Sequence, residues 1–358
     1  MTQIKQLDFT GSTIYCGIDV HKKNWRVNIQ SAEYELEDFS QDPDPSVLYK
    51  HLIRRYPGAT YKMGYEAGFS GFTSARWLNS IEGMECLILN AADVSTTDKE
   101  KRQKNDKSDA RKLCWQIQGR QVKSVYIPQP HWEHARALTR TRERIVSNQT
   151  RCKNRIWQLL HFHGLTLGDD MDSEQYWSRK MVSRLQGLDC GSVVLKVSLD
   201  LYIKDFLQTR SLLLEATRMV RKLCQDIAYA SDIILLRTIP GIGQVLAAIM
   251  LFELQDVSRF KGADQLKSYV GLVPDTSDSG ERKISKGITK RRNNHLRTAL
   301  VEASWTVIRK DPAMLMLYKD YCKRMDKNKA IVRVAKHLLA RIYFVLKNKQ
   351  PYVTGIVG

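Results

Sequence analysis

Apolar and polar residues change rhythm repeatedly along the 358-residue chain. Ile14 to Asp19 is a short apolar run, and Trp25-Arg-Val-Asn-Ile-Gln30 alternates apolar with polar, as a half-buried strand does. HKKN separates the two as a turn, and Tyr34 to Phe39 supplies a third strand, so residues 14–39 are expected to form an antiparallel meander. SVLYKHLIRRY (46–56) has apolar spacings of three and four, a helical period, and Pro57-Gly58 stops it. A strand over 60–66, a helix over 71–83, a strand over 85–90 and a helix over 107–118 follow. From 131 to 164 the chain reads as a basic helix with Leu138, Ile145, Cys152 and Leu159 seven apart, although Arg142 and Gln149 interrupt the companion positions. A second helix pairs Phe206, Leu213, Val220 and Ile227 with Thr209, Ala216, Leu223 and Ala230, the double stripe of a coiled-coil arm. Residues 165–198 carry no clear period. LLRTIPGIGQVLAAIMLFEL (235–254) reads as two helices joined at Pro240-Gly241-Ile242-Gly243, and further helices are expected near 291–309, 312–324 and 327–347. The expected division is 1–128 as an α/β domain, 129–232 as a helical connector, and 233–358 as a mainly helical domain.

The acids add chemistry to this pattern. Asp19 ends the first strand, Glu66 ends the fourth, and Asp106 and Asp109, three apart at the start of a helix, share one face. Three strands, helix, strand, helix, strand, helix is the layout of the ribonuclease-H-like fold, whose chemistry places acids at these stations. Carboxylates are hard ligands that suit Mg²⁺ or Mn²⁺ rather than zinc. Two such ions about 4 Å apart stabilise both oxygens of an in-line phosphoryl displacement. The plainer readings are a turn-forming Asp19 and a first-turn helix acid at Asp106. Four acids at matching stations outweigh them.

Charge then narrows the partner. Lys and Arg outnumber Asp and Glu by 57 to 38, a formal +19. An excess of this size points to a polyanion, because cations that neutralise phosphates release condensed counterions. Residues 279–349 hold 19 basic and 5 acidic residues, so Arg282, Lys283, Lys286, Lys290, Arg291, Arg292 and Arg297 are candidate nucleic-acid contacts. Gly241 and Gly243 join them, since a glycine hairpin before a helix lets backbone amides approach a phosphate. Clustered cations also suit a serine nucleophile. On the residues alone Ser277, Ser279 and Ser285 are equally eligible. No membrane partner is expected: there is no apolar run of about 18 residues and no dominant basic amphipathic helix. MTQIKQLDFTGS lacks the apolar centre of a signal peptide, and seven scattered cysteines without a close pair suggest reduced thiols, so a cytoplasmic, nucleoid-associated protein is expected.

YCGIDVHKKNW, GYEAGF, KNDKSDARKL, TIPGIG, YVGLVP, the Asp278-Ser279-Gly280 serine and GITKRRNNHLRTAL together resemble one family. It is the DEDD-type insertion-sequence transposases, relatives of the Piv-type DNA invertases and now called bridge-RNA-guided recombinases. The resemblance spans nearly the whole chain and is weakest over 165–230. It implies a RuvC-like N-terminal domain, a coiled-coil connector, and a C-terminal transposase domain with a helix-hairpin-helix. It places the metal-binding quartet on Asp19, Glu66, Asp106 and Asp109, and the nucleophile, which forms a phosphoserine link, on Ser279. It further implies Mg²⁺ or Mn²⁺, donor and target DNA, a structured non-coding RNA that pairs with both, and a dimer or tetramer whose protomers share the site. Such a protein need not read bases itself. One departure stands out: Arg292-Asn293 follows Arg291 where family members often have Gly-Asn or Gly-Asp. The competing reading is a Mg²⁺-dependent structure-specific nuclease that uses activated water.

Overall fold

The computed structural model describes residues 8–93, 106–167, 177–279 and 282–355, with the backbone alone at 106–107, 276–279 and 282–286. The chain forms two compact units, 1–129 and 130–358.

The first unit is a five-stranded mixed sheet. Strands β1 (Thr13–Val20), β2 (Trp25–Gln30) and β3 (Glu35–Gln41) form the expected meander, and β4 (Thr60–Glu66) and β5 (Met84–Leu89) add in parallel to the other side of β1. The order across the sheet is β3-β2-β1-β4-β5. Because successive side chains alternate faces, β1 splits cleanly. Ile14, Cys16 and Ile18 point to one face, where they pack with helices α1 (Pro45–Arg55) and α2 (Thr73–Asn79) through Leu48, Leu52, Ala75 and Leu78. Helix α1 starts where the sequence signals it: Asp44 caps the Ser46 amide and Pro45 opens the first turn. Tyr15 and Gly17 point to the opposite face, which helix α3 (Asp106–Gln118) covers with Leu113 and Ile117. Burial pushes the Cys114 thiol up to about 12, and its Sγ donates to the Tyr15 carbonyl across this contact.

In the second unit, α4 (Pro130–Phe162) and α6 (Val193–Leu223) run antiparallel. Arg142 Nε donates to Thr217 Oγ1 at 2.9 Å, and Cys152 Sγ donates to Asp205 Oδ2 at 3.2 Å. The short helix α5 (Arg179–Gln186), within the stretch that carried no clear period, closes the end of the pair with Met181, Val182 and Leu185. Phe206, Thr209, Ala216 and Val220 of the expected stripe are buried, but the stripe stops early. Helix α6 ends at Leu223 with Cys224 as its cap, and Ile227 is 96% exposed. On α4 the buried line is Ala135, Thr139, Cys152, Ile156 and Leu160, mostly displaced from the expected heptad positions, with Arg142 in the polar middle. Then come α7 (Ala230–Arg237), α8 (Gln244–Leu254), α9 (Ala263–Val270), the two-stranded β6 (Pro274–Ser279) and β7 (Arg282–Ile288), α10 (Asn294–Val307), α11 (Pro312–Cys322) and α12 (Lys327–Asn348). Every residue of α8 from Ala247 to Leu254 is buried, so it is the axis around which the others pack.

Candidate functional site

Two glycines organise the end of the sheet that carries the acids, at the carboxyl ends of the interior strands β1 and β4. Gly17 of β1 and Gly64 of β4 stand opposite each other in register. A Cβ on Gly17 would lie 1.9 Å from the Ala110 carbonyl oxygen and 2.5 Å from the Cys114 amide, so α3 rests on bare backbone there. A Cβ on Gly64 would come within 3.0 Å of Ile117 Cδ1 and of the Leu87 carbonyl oxygen. The end of α3 is also tied, with Gln118 Nε2 donating to the Ala32 carbonyl at 2.7 Å, at the β2–β3 turn. Since Tyr15 pairs with Gln30 at that end of the sheet, α3 runs against β1, and its first turns lie toward the carboxyl end of β1.

The acids follow from this seat. Asp19 is two residues beyond Gly17 and Glu66 two beyond Gly64, so both belong to the face that α3 covers. The last paired rung, Ile18 with Tyr65, puts Asp19 and Glu66 on adjacent strands at one end of the sheet. Asp106 opens α3, and Asp109 precedes Ala110, whose carbonyl touches Gly17. Asp19 is one-fifth exposed (22%), Glu66 is exposed and Asp109 is half-buried; the side chain of Asp106 lies outside the described residues. Among the described residues no three His, Cys, Asp or Glu side chains stand close enough together to hold a metal ion. By chemistry alone, carboxylate oxygens such as those of Asp19, Glu66 and Asp109 suit a hard divalent cation.

Sequence reasoning missed two neighbours. His21 Nε2 stands 3.1 Å from Asp19 Oδ2. Arg26, paired with Asp19 in the β1–β2 register, forms an ion pair with Asp38 while its Nε is buried without a partner. The shared spacing Gly-x-acid in GID and GYE was a readable signal for the first pair of carboxylates.

The remaining candidates lie in the second unit. Ser279 is the last residue of β6 and Arg282 the first of β7, and the two face each other in register, with Asp278 opposite Lys283. The polar turn expected around Asp278 and Ser279 is therefore a strand end. Ser277 lies on β6 and Ser285 and Lys286 on β7, while Gly280 lies outside the described residues. Lys290, Arg291 and Arg292 occupy the segment after β7 and are exposed. Arg297 is different: its Nη1 donates to the carbonyls of Gly271 and Thr289 at 3.0 and 3.1 Å, and burial pulls its pKa down. Asn293, next to Arg292 where the family pattern has glycine, caps α10 by accepting the Leu296 amide. Gly271 lies close against Arg292, because a Cβ on Gly271 would stand 2.5 Å from that of Arg292. At the other hairpin Gly241 has φ +89, and a Cβ would lie 2.8 Å from Thr306. Gly243 caps α8 without a side chain and is exposed.

Comparison with known proteins bears on both units. The model for DEDD transposases of the IS110 type, described as a transposase, matches residues 16–164. The model for the IS116/IS110/IS902 transposase family matches residues 234–319. A Sinorhizobium fredii chain named as a transposase, y4rJ, is 28% identical over 305 residues, covering 78% of this chain and 75% of its own length. The transposase for insertion sequence element IS1111A of Coxiella burnetii is 26% identical, covering 71% of this chain and 70% of its own. The pilin gene-inverting protein of Moraxella bovis is 32% identical over 127 residues, 33% of this chain and 38% of that one. The divalent metal that DEDD transposases use agrees in kind with the carboxylates at the carboxyl ends of β1 and β4. No helix among the described residues is long and apolar enough to cross a membrane. With one model on the acid-bearing sheet and the other on the glycine hairpin and the serine strand, the chain belongs to the IS110-type DEDD transposases of insertion sequences and is a DNA transposase.

Proposed function

We propose that this transposase cleaves and exchanges DNA strands through Ser279, assisted by a divalent ion at a ribonuclease-H-like, RuvC-like carboxylate site. The observation that carries the reading is the α3 seat: Gly17 and Gly64 align on neighbouring strands, and each precedes an acid by two residues on the face that α3 covers. The strand order β3-β2-β1-β4-β5 supports the fold assignment. Asp19, Glu66, Asp106 and Asp109 would hold Mg²⁺ or Mn²⁺, which when bound supplies positive charge to a phosphate. In the chemical step the Ser279 Oγ forms a bond to phosphorus as the scissile P–O bond breaks. The hydroxyl proton passes to the departing DNA oxygen, and a second DNA hydroxyl later reverses the exchange and frees the serine. Arg282, Lys283 and Lys286 on β7 stabilise the charge that develops.

Lys290, Arg291, Arg292 and Arg297 are assigned to phosphate contact, as are the amides behind Gly241 and Gly243 in a helix-hairpin-helix. A structured non-coding RNA pairing with donor and target DNA supplies sequence choice, and a dimer or tetramer joins the carboxylates of one protomer to the serine of another. The concentration of charge in 279–349 supports the nucleic-acid partners, and the antiparallel α4–α6 pair supports a coiled-coil connector. Covalent trapping tests the chemistry. Wild-type chain incubated with donor DNA and Mg²⁺ should give a protein–DNA adduct that Ser279→Ala abolishes. Equal adducts from Ser279→Ala, or cleaved DNA with no adduct, would instead favour attack by water. Sequencing RNA that co-purifies should return one species from the flank of the element; random RNA would remove the guide from the proposal.

A further inference from the structure

A buried polar network lies at the segments that flank the β6–β7 hairpin. Glu253 of α8 is 1% exposed, and both of its oxygens are engaged. Arg140 of α4 grips them as a fork, Nε to Oε1 at 2.6 Å and Nη2 to Oε2 at 2.8 Å. Asn293 Nδ2 donates to Oε2 at 2.8 Å and to the Tyr269 hydroxyl at 3.3 Å, while its Oδ1 accepts the Leu296 amide at 3.2 Å. One turn along α4, Glu143 bonds His295 Nδ1. A carboxylate buried this deeply stays charged only when paired. Burial pushes the Glu253 pKa up, but Arg140, the Asn293 amide and His295 outweigh it and hold the carboxyl below the ordinary glutamate range.

The network touches both strands' roots. The chain enters β6 through Gly271–Val273 and leaves β7 through Thr289–Asn293, and these two segments are tied together. The Thr289 amide donates to the Val273 carbonyl at 3.1 Å, and the Asn293 amide donates to the Tyr269 carbonyl at 3.2 Å. Arg297 Nη1 bridges the carbonyls of Gly271 and Thr289. Asn293 joins this tie to the Glu253 carboxylate and also caps α10, and the Tyr269 hydroxyl donates to the Glu253 carbonyl at 3.4 Å, so the direction of the hairpin is set against α8 and, through Arg140, against α4. Apolar residues can replace a buried ion pair at little cost in stability, which leaves geometry as the distinctive thing such a pair provides.

We propose that Glu253 and Asn293 are positioning residues for the reaction: together they fix the base of the β6–β7 hairpin and thereby the place of Ser279 at its tip. The proposal rests on Ser279 being the nucleophile.

Asn293→Ser separates the two duties, since a serine hydroxyl still caps a helix but cannot reach across to Glu253. In the full chain, hydrogen exchange at the Thr289 amide should become at least tenfold faster, although that amide bonds Val273 and not the network. Adduct formation on DNA should fall at least tenfold while the Kd for DNA stays within threefold. Asn293→Asp, which keeps the cap but sets a like charge against Glu253, should fall further. Wild-type exchange at Thr289, or wild-type adduct formation, in Asn293→Ser overturns the proposal. So does a parallel loss of DNA affinity. If Asn293→Ser does not fold, Tyr269→Phe reads the same quantities, and exchange less than threefold faster overturns it. Should the wild type form no adduct that depends on Ser279, the serine reading fails, and the exchange measurement still decides whether the network holds the hairpin.

Discussion

The acid-bearing end of the sheet in the first unit and the hairpin of the second are held in place by opposite means. In the sheet, position comes from absence: Gly17 and Gly64 remove side chains so that α3 can lie on the backbone of β1 and β4, and apolar packing does the rest. At the hairpin, position comes from a charged, fully bonded cluster around Glu253. Apolar seating is set by register and tolerates no added atom. A polar network tolerates volume but not a missing partner. The two regions should therefore fail under different substitutions and different conditions.

The largest effect is expected at the acids themselves. Asp109→Asn or Asp19→Asn should lower DNA strand cleavage by at least about 1,000-fold, or ~4 kcal/mol in the barrier, with the Kd for DNA within threefold. Parallel loss of binding would mean that end of the sheet holds nucleic acid rather than the reacting phosphate. Next comes Gly17→Ala, whose methyl would overlap the Ala110 carbonyl. It should cost about 3 kcal/mol of stability, seen as a lower midpoint in urea, whereas Gly243→Ala, with nothing within 4 Å of the new Cβ, should cost under ~1 kcal/mol. Equal costs would remove the glycine seat from the explanation.

The hairpin answers to pH instead. Because the Glu253 carboxyl is held below its ordinary range, its stabilisation is complete above the unfolded glutamate pKa, near 4.3, and is lost as pH falls through the folded value. Glu253→Gln should therefore cost about 2 kcal/mol at neutral pH, discounted because Arg140 remains 38% exposed. That deficit should shrink toward zero in acid. Melting curves from pH 7 to pH 3 that stay a constant distance apart would show that the carboxylate charge is not what matters. The smallest effects belong to exposed cations: Lys290→Ala or Arg292→Ala should each weaken DNA binding by up to about tenfold and lower the salt slope by about 1. An unchanged slope would remove that residue from the phosphate contacts.

Much of this was visible in the residue pattern. The strand–helix order of the first unit, the expected helices near 312–324 and 327–347, and the stations of Asp19 and Glu66 all follow from periods of two and 3.6 with Gly and Pro as stops. The coiled-coil stripe was read too far, because a heptad count cannot see the cap at Cys224 that ends α6 before Ile227. The polar run at Asp278-Ser279 was read as a turn because pairing between strands contributes no local apolar signal.

Local rhythm thus specifies which segments become strands and helices, and charge density specifies a polyanionic partner, since both depend on near neighbours and sums along the chain. Pairing Gly17 with Gly64, setting Arg26 beside Asp19, and bringing Arg140, Glu253 and Asn293 together across more than a hundred residues are matters of register and packing between distant segments. No local pattern encodes them, because the free energy that selects each partner exists only once the segments have docked.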